Sequence, residues 1–163
     1  MTAIQRATVE DARDLSIAHI ASWQKGYRGL YSDELLDNLS VDESIPRWEK
    51  RLRSDDTTFL TRRNRQVAGF ITVRAAPAED TGELYLLYVN PDFWRQGVGR
   101  RLSNFSCNWF MEQGYKRAIV WVNHLNKPGM EFYEACGWEP DSGRQTSEIY
   151  GIKVPEVRYS RML

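Results

Sequence analysis

Apolar residues recur along this chain in two rhythms, one helical and one strand-like, and the switches between them mark the elements. From Thr8 to about Gln24 the rhythm is helical: Leu15 and Ala18 stand three apart, Ile17 and Ala21 four apart, and together they predict one broad buried face. Thr8 is placed to accept from an unpaired amide at the helix start, where Glu10 and Asp11 meet the positive helix end. Ile4 to Ala7 fits a short strand ahead of it. The run "KGYRGLY", Lys25 to Tyr31, interrupts the pattern with two glycines. Short helices are expected around Asp33 to Asn38 and Ser44 to Leu52, the second starting nearer Ser44 than Ser40 because Pro46 suits a first turn.

From Thr58 the residues become strand-like. Thr58 to Arg62 and "QVAGFITVRAA" from Gln66 flank the polar turn Arg63-Asn64-Arg65, which predicts a hairpin. "ELYLLYV", Glu83 to Val89, is a third apolar run, ended by Pro91. Helical period then returns, with Val98, Leu102, Phe105 and Trp109 on one stripe and Gly114 as a stop. "RAIVWVN" reads as a strand, and the helix after it has Asn126 as cap, Pro128 near its start and Gly137 past its end. "RQTSEIYGIKVPEVRYSRML" closes the chain as two strands around Gly151. The order, strand, two or three helices, three strands, helix, strand, helix, two strands, predicts a mixed sheet with helices on both faces.

Bulk properties narrow the function. The 163 residues suit one domain, and 42% hydrophobic with 27% charged residues is an ordinary globular composition. Lys plus Arg and Asp plus Glu both number 22, so electrostatic tethering to nucleic acid is not expected. No run approaches the roughly 20 apolar residues of a membrane-spanning helix, and the first residues have no apolar signal core. A cytoplasmic protein without membrane contact is the expectation. Cys107 and Cys136 are too few for a disulfide framework, and no spacing of Cys or His predicts a metal.

"NPDFWRQGVGRRL", Asn90 to Leu102, is the stretch with candidate chemistry. A helix starting near Gly97 directs unpaired amides and about half a positive charge outward. Glycines at 97 and 99 let an anion approach those amides, and Arg95, Arg100 and Arg101 add charge. A plain tight turn with solvated arginines explains the spacing equally well. No lysine follows the glycines as a nucleoside triphosphate loop requires, and position 102 is Leu where the dinucleotide fingerprint has its third glycine.

The ordered set "LLYVNPDFWRQGVGRRL", "EQGYKRAIVWV", the Asn126 to Trp138 segment ending "FYEACGW", and "EVRYSRML" resembles the GNAT superfamily of acyl-CoA-dependent N-acetyltransferases. The resemblance covers most of the chain and is most specific from Leu84 to Trp138. It implies a GNAT-like α/β (α+β) fold: a mixed, mostly antiparallel sheet of six to seven strands in one domain over residues 1–163. It also implies acetyl-CoA as co-substrate. The family motif runs Arg/Gln-x-x-Gly-x-Gly/Ala; Gly97 and Gly99 match, but the first position falls on Trp94. Similarity places the pyrophosphate on the backbone from Gln96 through Val98 to Arg101, and the pantetheine arm along Leu87, Tyr88 and Val89.

Acetyl transfer to an amine needs a neutral nucleophile, stabilisation of the oxyanion and a proton for the departing thiolate. A primary amine of pKa near 10 is about one part in a thousand neutral at pH 7, so its proton must be accepted. The Val89 amide or its neighbour is a candidate oxyanion donor. Tyr133 matches the family tyrosine seven residues after Asn126, and a phenol of pKa about 10 can protonate a thiolate of pKa about 8.5. A packed aromatic beside Phe132 is the alternative. Asn126 caps its helix and is placed to touch pantetheine amides. Glu83 is a candidate base, against a solvent-facing strand-end carboxylate; His124 is a second. Trp23, Tyr27, Arg28 and Tyr31, with Glu148 and Tyr150 on the last hairpin, are the candidate acceptor residues, although the aromatics would also serve as ordinary core. The expected acceptor is a small-molecule primary amine attacking directly in a ternary complex. A peptide or protein amine, or a non-catalytic acyl-CoA sensor, is the rival reading, and a homodimer is compatible with the family.

Overall fold

The computed structural model describes residues 3–163. Its elements are β1 (Gln5–Arg6), α1 (Ala12–Gly26), α2 (Asp33–Asp37), α3 (Val41–Leu52), β2 (Thr57–Arg63), β3 (Gln66–Ala75), β4 (Thr81–Val89), α4 (Val98–Glu112), β5 (Arg117–Asn123), α5 (Lys127–Ala135), β6 (Glu139–Ile149) and β7 (Ile152–Met162). Seven strands hydrogen-bond in the order β1-β2-β3-β4-β5-β7-β6, with β4 and β5 parallel. This is the mixed sheet that the pattern predicts and the mostly antiparallel α/β sheet that the family resemblance implies. Among the described residues no helix is long and apolar enough to cross a membrane.

The chain divides into two compact units. One comprises the chain up to Arg74 with Leu86–Ser103, the other Ala75–Tyr85 with Asn104–Leu163. In the first, β2 and β3 form the predicted hairpin, closed by Asn64 and Arg65 at φ 50° and 66°. Two left-handed residues match the right-handed twist of a two-residue hairpin. The core gathers Ala12, Leu15 and Ala18 of α1, Trp48 of α3, and Leu60, Val67 and Phe70 of β2 and β3.

Three local expectations change. Thr8 opens a 3-10 turn, Val9–Asp11, in which its amide donates to the Asp11 carboxylate at 2.8 Å. Ile17, expected on the buried face of α1, is 47% exposed. At about 100° per residue it points away from Leu15, and the buried stripe runs instead through Ala12, Leu15, Ser16 and Trp23. Helix α3 begins at Val41, capped by Ser40, whose hydroxyl accepts from the Glu43 amide at 3.3 Å, so the start lies three residues before Ser44. Pro46 is inside the helix on its exposed side, where water can satisfy the carbonyl that proline leaves unpaired.

Gly69 of β3 seats the next helix. A Cβ there would come within 2.9 Å of Val98 and Leu102, so the missing side chain lets the first turn of α4 rest on the strand. In the second unit, β5 pairs with β7 from Arg117↔Met162 to Asn123↔Glu156, and β6 with β7 through a turn at Tyr150 and Gly151. Strand β6 starts at Glu139, five residues before the predicted Arg144. Phe110, Ala118, Trp138 and Tyr159 are buried here; on α4, Ser106 and Phe110 are more deeply buried than Phe105 and Trp109.

Candidate active site

The first unit carries the glycine loop. Strand β4 ends at Val89, and the Asn90 amide donates to the Ala68 carbonyl of β3 at 2.9 Å. The Asn90 side chain accepts from the Asp92 amide at 3.1 Å, which caps a 3-10 turn over Pro91–Phe93. The chain then turns through Arg95 at φ 61° and Gly97 at φ 79°, both left-handed, into α4. The Arg101 amide bonds back to the Gly97 carbonyl at 3.0 Å, which closes the first turn of α4 on Gly97. A Cβ on Gly97 would meet nothing within 4 Å. The Cβ direction of Gly97 therefore opens onto free space. Arg95, Gln96 and Arg100 are exposed, and Val98 is buried beneath the loop.

Two partners of this loop come from other elements. Gln96 accepts from the Arg63 guanidinium at the end of β2, which also lies 5.9 Å from the Phe93 ring centre. Trp94, in the first motif position, donates its indole N–H to the Val89 carbonyl at 2.7 Å. Neither is legible in the sequence, because each depends on which strand end lies beside the loop.

Trp23, Tyr27 and Tyr31 do come together. Trp23 and Tyr31 stack with centres 5.3 Å apart, and Tyr27 meets Trp23 edge-on at 4.6 Å. Trp23 is only 4% exposed and donates to the Tyr88 hydroxyl at 3.1 Å, so it supports the cluster from beneath while the two tyrosines are half-buried. Burial raises the Tyr88 phenol well above its ordinary pKa, and a hydrogen bond with Tyr27 adds to this. Arg28 does not join the rings: it bonds Asp33 and Asp37 at 3.1 and 2.9 Å. It lines an open groove with Ala21, Gln24, Lys25 and Pro91.

Beside this cluster lies His19, which the sequence reading passes over. Tyr88, Trp48, Phe70 and Trp23 place ring centres 4.6 to 6.3 Å from its own. Desolvation, with Arg51 and Arg47 as lesser causes, lowers its pKa from 6.5 to about 3. The unfolded chain takes up this proton below pH 6.5 and the folded chain does not until about pH 3, so the neutral histidine's contribution is complete above pH 6.5 and lost as the pH falls. Denaturant unfolding should show stability falling by up to about 1.4 kcal/mol per pH unit between these limits from this group, and His19→Phe should flatten that slope.

The second unit carries the remaining candidates. Glu83 is 5% exposed, so the strand-end carboxylate is buried rather than solvent-facing. It sits at the last pair of the β4–β5 ladder, opposite Ile119. Tyr133 of α5 is 8% exposed, its ring 5.2 Å from Phe132, 5.9 Å from Trp138 and 6.3 Å from Tyr159. Asn126 caps the same helix, accepting from the Gly129 amide at 3.1 Å. His124 is tied through Nδ1 to the Pro155 carbonyl at 3.0 Å. Glu148 and Tyr150 are exposed at the tip of the β6–β7 hairpin.

Sheet order, glycine loop and helix start define an acyl-CoA-type transferase fold. The family model of the acetyltransferase (GNAT) family matches residues 17–138, and the chain belongs to that family. It is an acyltransferase, and acetyl-CoA is its co-substrate. It is 28% identical over 162 residues to the uncharacterized N-acetyltransferase YuaI of Bacillus subtilis (strain 168), covering 96% of this chain and 91% of that protein. It is 31% identical over 80 residues to mycothiol acetyltransferase of Streptomyces scabiei (strain 87.22), a match that spans 49% of this chain and 26% of that enzyme. Among solved structures, the PaiA N-acetyltransferase of Thermoplasma acidophilum in complex with coenzyme A shares the fold, with TM-score 0.71, 19% identity and 100% of both chains covered.

Proposed function

We propose that this chain transfers the acetyl group of acetyl-CoA to a primary amine of a small molecule, by direct attack in a ternary complex. The observation that carries the reading is the left-handed turn at Gly97 into α4, where a Cβ would meet nothing within 4 Å. In this reading the main-chain amides of Gln96 to Gly99 hold the pyrophosphate, the Arg101 amide being taken by the Gly97 carbonyl, and Arg95, Arg100 and Arg101 supply charge. The backbone of Leu87, Tyr88 and Val89 orients the pantetheine arm, and Asn126 assists. The Val89 amide steadies the acyl oxygen as negative charge develops on it.

Tyr133 gives a proton to the leaving sulfur, and Glu83 accepts the amine proton, directly or through water. Tyr27 and Tyr31, backed by Trp23, offer ring faces to the acceptor's apolar or cationic body, and Glu148 and Tyr150 belong to the same reading. The family match runs from Ile17 to Trp138 and draws on both units, which supports treating them as one acetyltransferase domain. Cys107 and Cys136 are buried thiols rather than halves of a disulfide, which suits a cytoplasmic location.

Thermal melting with acetyl-CoA, followed by a thiol-release assay over an amine panel, tests the reading. At a hundred times Kd the ligand adds about 2.7 kcal/mol, a rise of roughly 5–10 °C for a chain of this size. No shift at near-millimolar acetyl-CoA would overturn the binding site. Thiol release with peptide amines alone would overturn the small-molecule acceptor.

A further inference from the structure

We propose that Trp94 is a positioning residue for the end of β4, and that its indole N–H, rather than its bulk, is what the first motif position contributes to acetyl-CoA binding. This rests on the cofactor reading above. The peptide joining Val89 to Asn90 is held at both poles: its carbonyl accepts from Trp94 Nε1 at 2.7 Å and its N–H donates to Ala68 at 2.9 Å. That fixes the last residue of the strand assigned to the pantetheine arm.

A second group reaches the same carbonyl without being able to replace the indole. Ser22 Oγ lies 2.9 Å from the Val89 oxygen and 2.7 Å from the Ala18 carbonyl of its own helix. A hydroxyl has one proton for these two acceptors. Trp94 is thus the full-time donor, and Ser22 shares its proton. The indole is itself held in place from α1: Lys25 Nζ lies 5.4 Å from the ring, and the Cβ direction of Gly26 points at it from 3.9 Å. Trp94 as a whole is 37% exposed, so part of it faces solvent.

The family motif has Arg or Gln where this chain has Trp94. The three side chains differ in charge, shape and aromaticity, and they share a side-chain N–H donor. The substitution therefore keeps a side-chain N–H donor at this position while changing charge, shape and aromaticity. With the Val89 carbonyl occupied by the chain's own donors, Val89 offers an incoming acyl-CoA only its amide, the group assigned above to the acyl oxygen.

Calorimetric titration with acetyl-CoA separates the possibilities, using wild type, Trp94→Phe, Trp94→Met and Trp94→Arg, each checked by thermal melting. The expected result is about a tenfold loss of affinity in the Phe and Met variants, the scale of one hydrogen bond, with Trp94→Arg within about twofold of wild type. Wild-type affinity in either donor-less variant would overturn the proposal. So would equal weakness in Trp94→Arg, or unfolding of both donor-less variants, which would make the residue structural. Failure of wild type itself to bind would instead overturn the cofactor reading on which the proposal rests.

Discussion

Tyr133→Phe is expected to lower kcat about a hundredfold while leaving acetyl-CoA affinity within about twofold, as loss of a proton donor acting in the transition state should. The ring is 8% exposed and packed by Phe132, Trp138 and Tyr159, and phenylalanine keeps those contacts at the same volume. The change is therefore confined to one oxygen. Steady-state kinetics beside calorimetric binding decides the outcome. An unchanged kcat with a collapsed melting temperature would reduce Tyr133 to packing.

Gly97→Val should do the opposite, raising the acetyl-CoA Kd about a hundredfold with saturated kcat near wild type. Gly97 holds φ 79°, where an L residue costs roughly 1–2 kcal/mol and a β-branched one more. Its Cβ would project into open space, so no neighbour opposes it in the free protein, and the obstruction is felt when an anion approaches the amides. Gly97→Ala should give the same direction with a smaller change. Titration with CoA checks both, and an unchanged Kd in the valine variant would remove the pyrophosphate from this loop.

These two residues are legible in the sequence because the features that mark them are local. A glycine two residues before another at a helix start, or a tyrosine two turns after a capping asparagine, is set by neighbours along the chain. The same holds for the β2–β3 hairpin, where a polar turn of fixed length separates two strand-like runs.

Where the reading erred, a local rule met a tertiary preference. Ile17 and Ala21 satisfy helical spacing, yet the face of α1 that packs is chosen by the surfaces offered by α3 and the sheet, which favour Leu15, Ser16 and Trp23. Pro46 argued for a later start of α3, but a proline on the exposed side lets water take the freed carbonyl, and Ser40 caps the longer helix.

By itself the sequence determined the order of elements, the family resemblance, the glycine loop and the helix that follows it, because dihedral preferences and caps act over a few residues. Only the tertiary structure decided what holds that loop. Ser22 reaches Val89 across 67 residues, Arg63 reaches Gln96 across 33, and Gly69 makes room for Val98 and Leu102. Strand pairing and helix packing set those distances, and no spacing along the chain encodes them. Trp94 stands between the two cases: the motif made it conspicuous, and the fold supplied the carbonyl that gives its N–H a purpose.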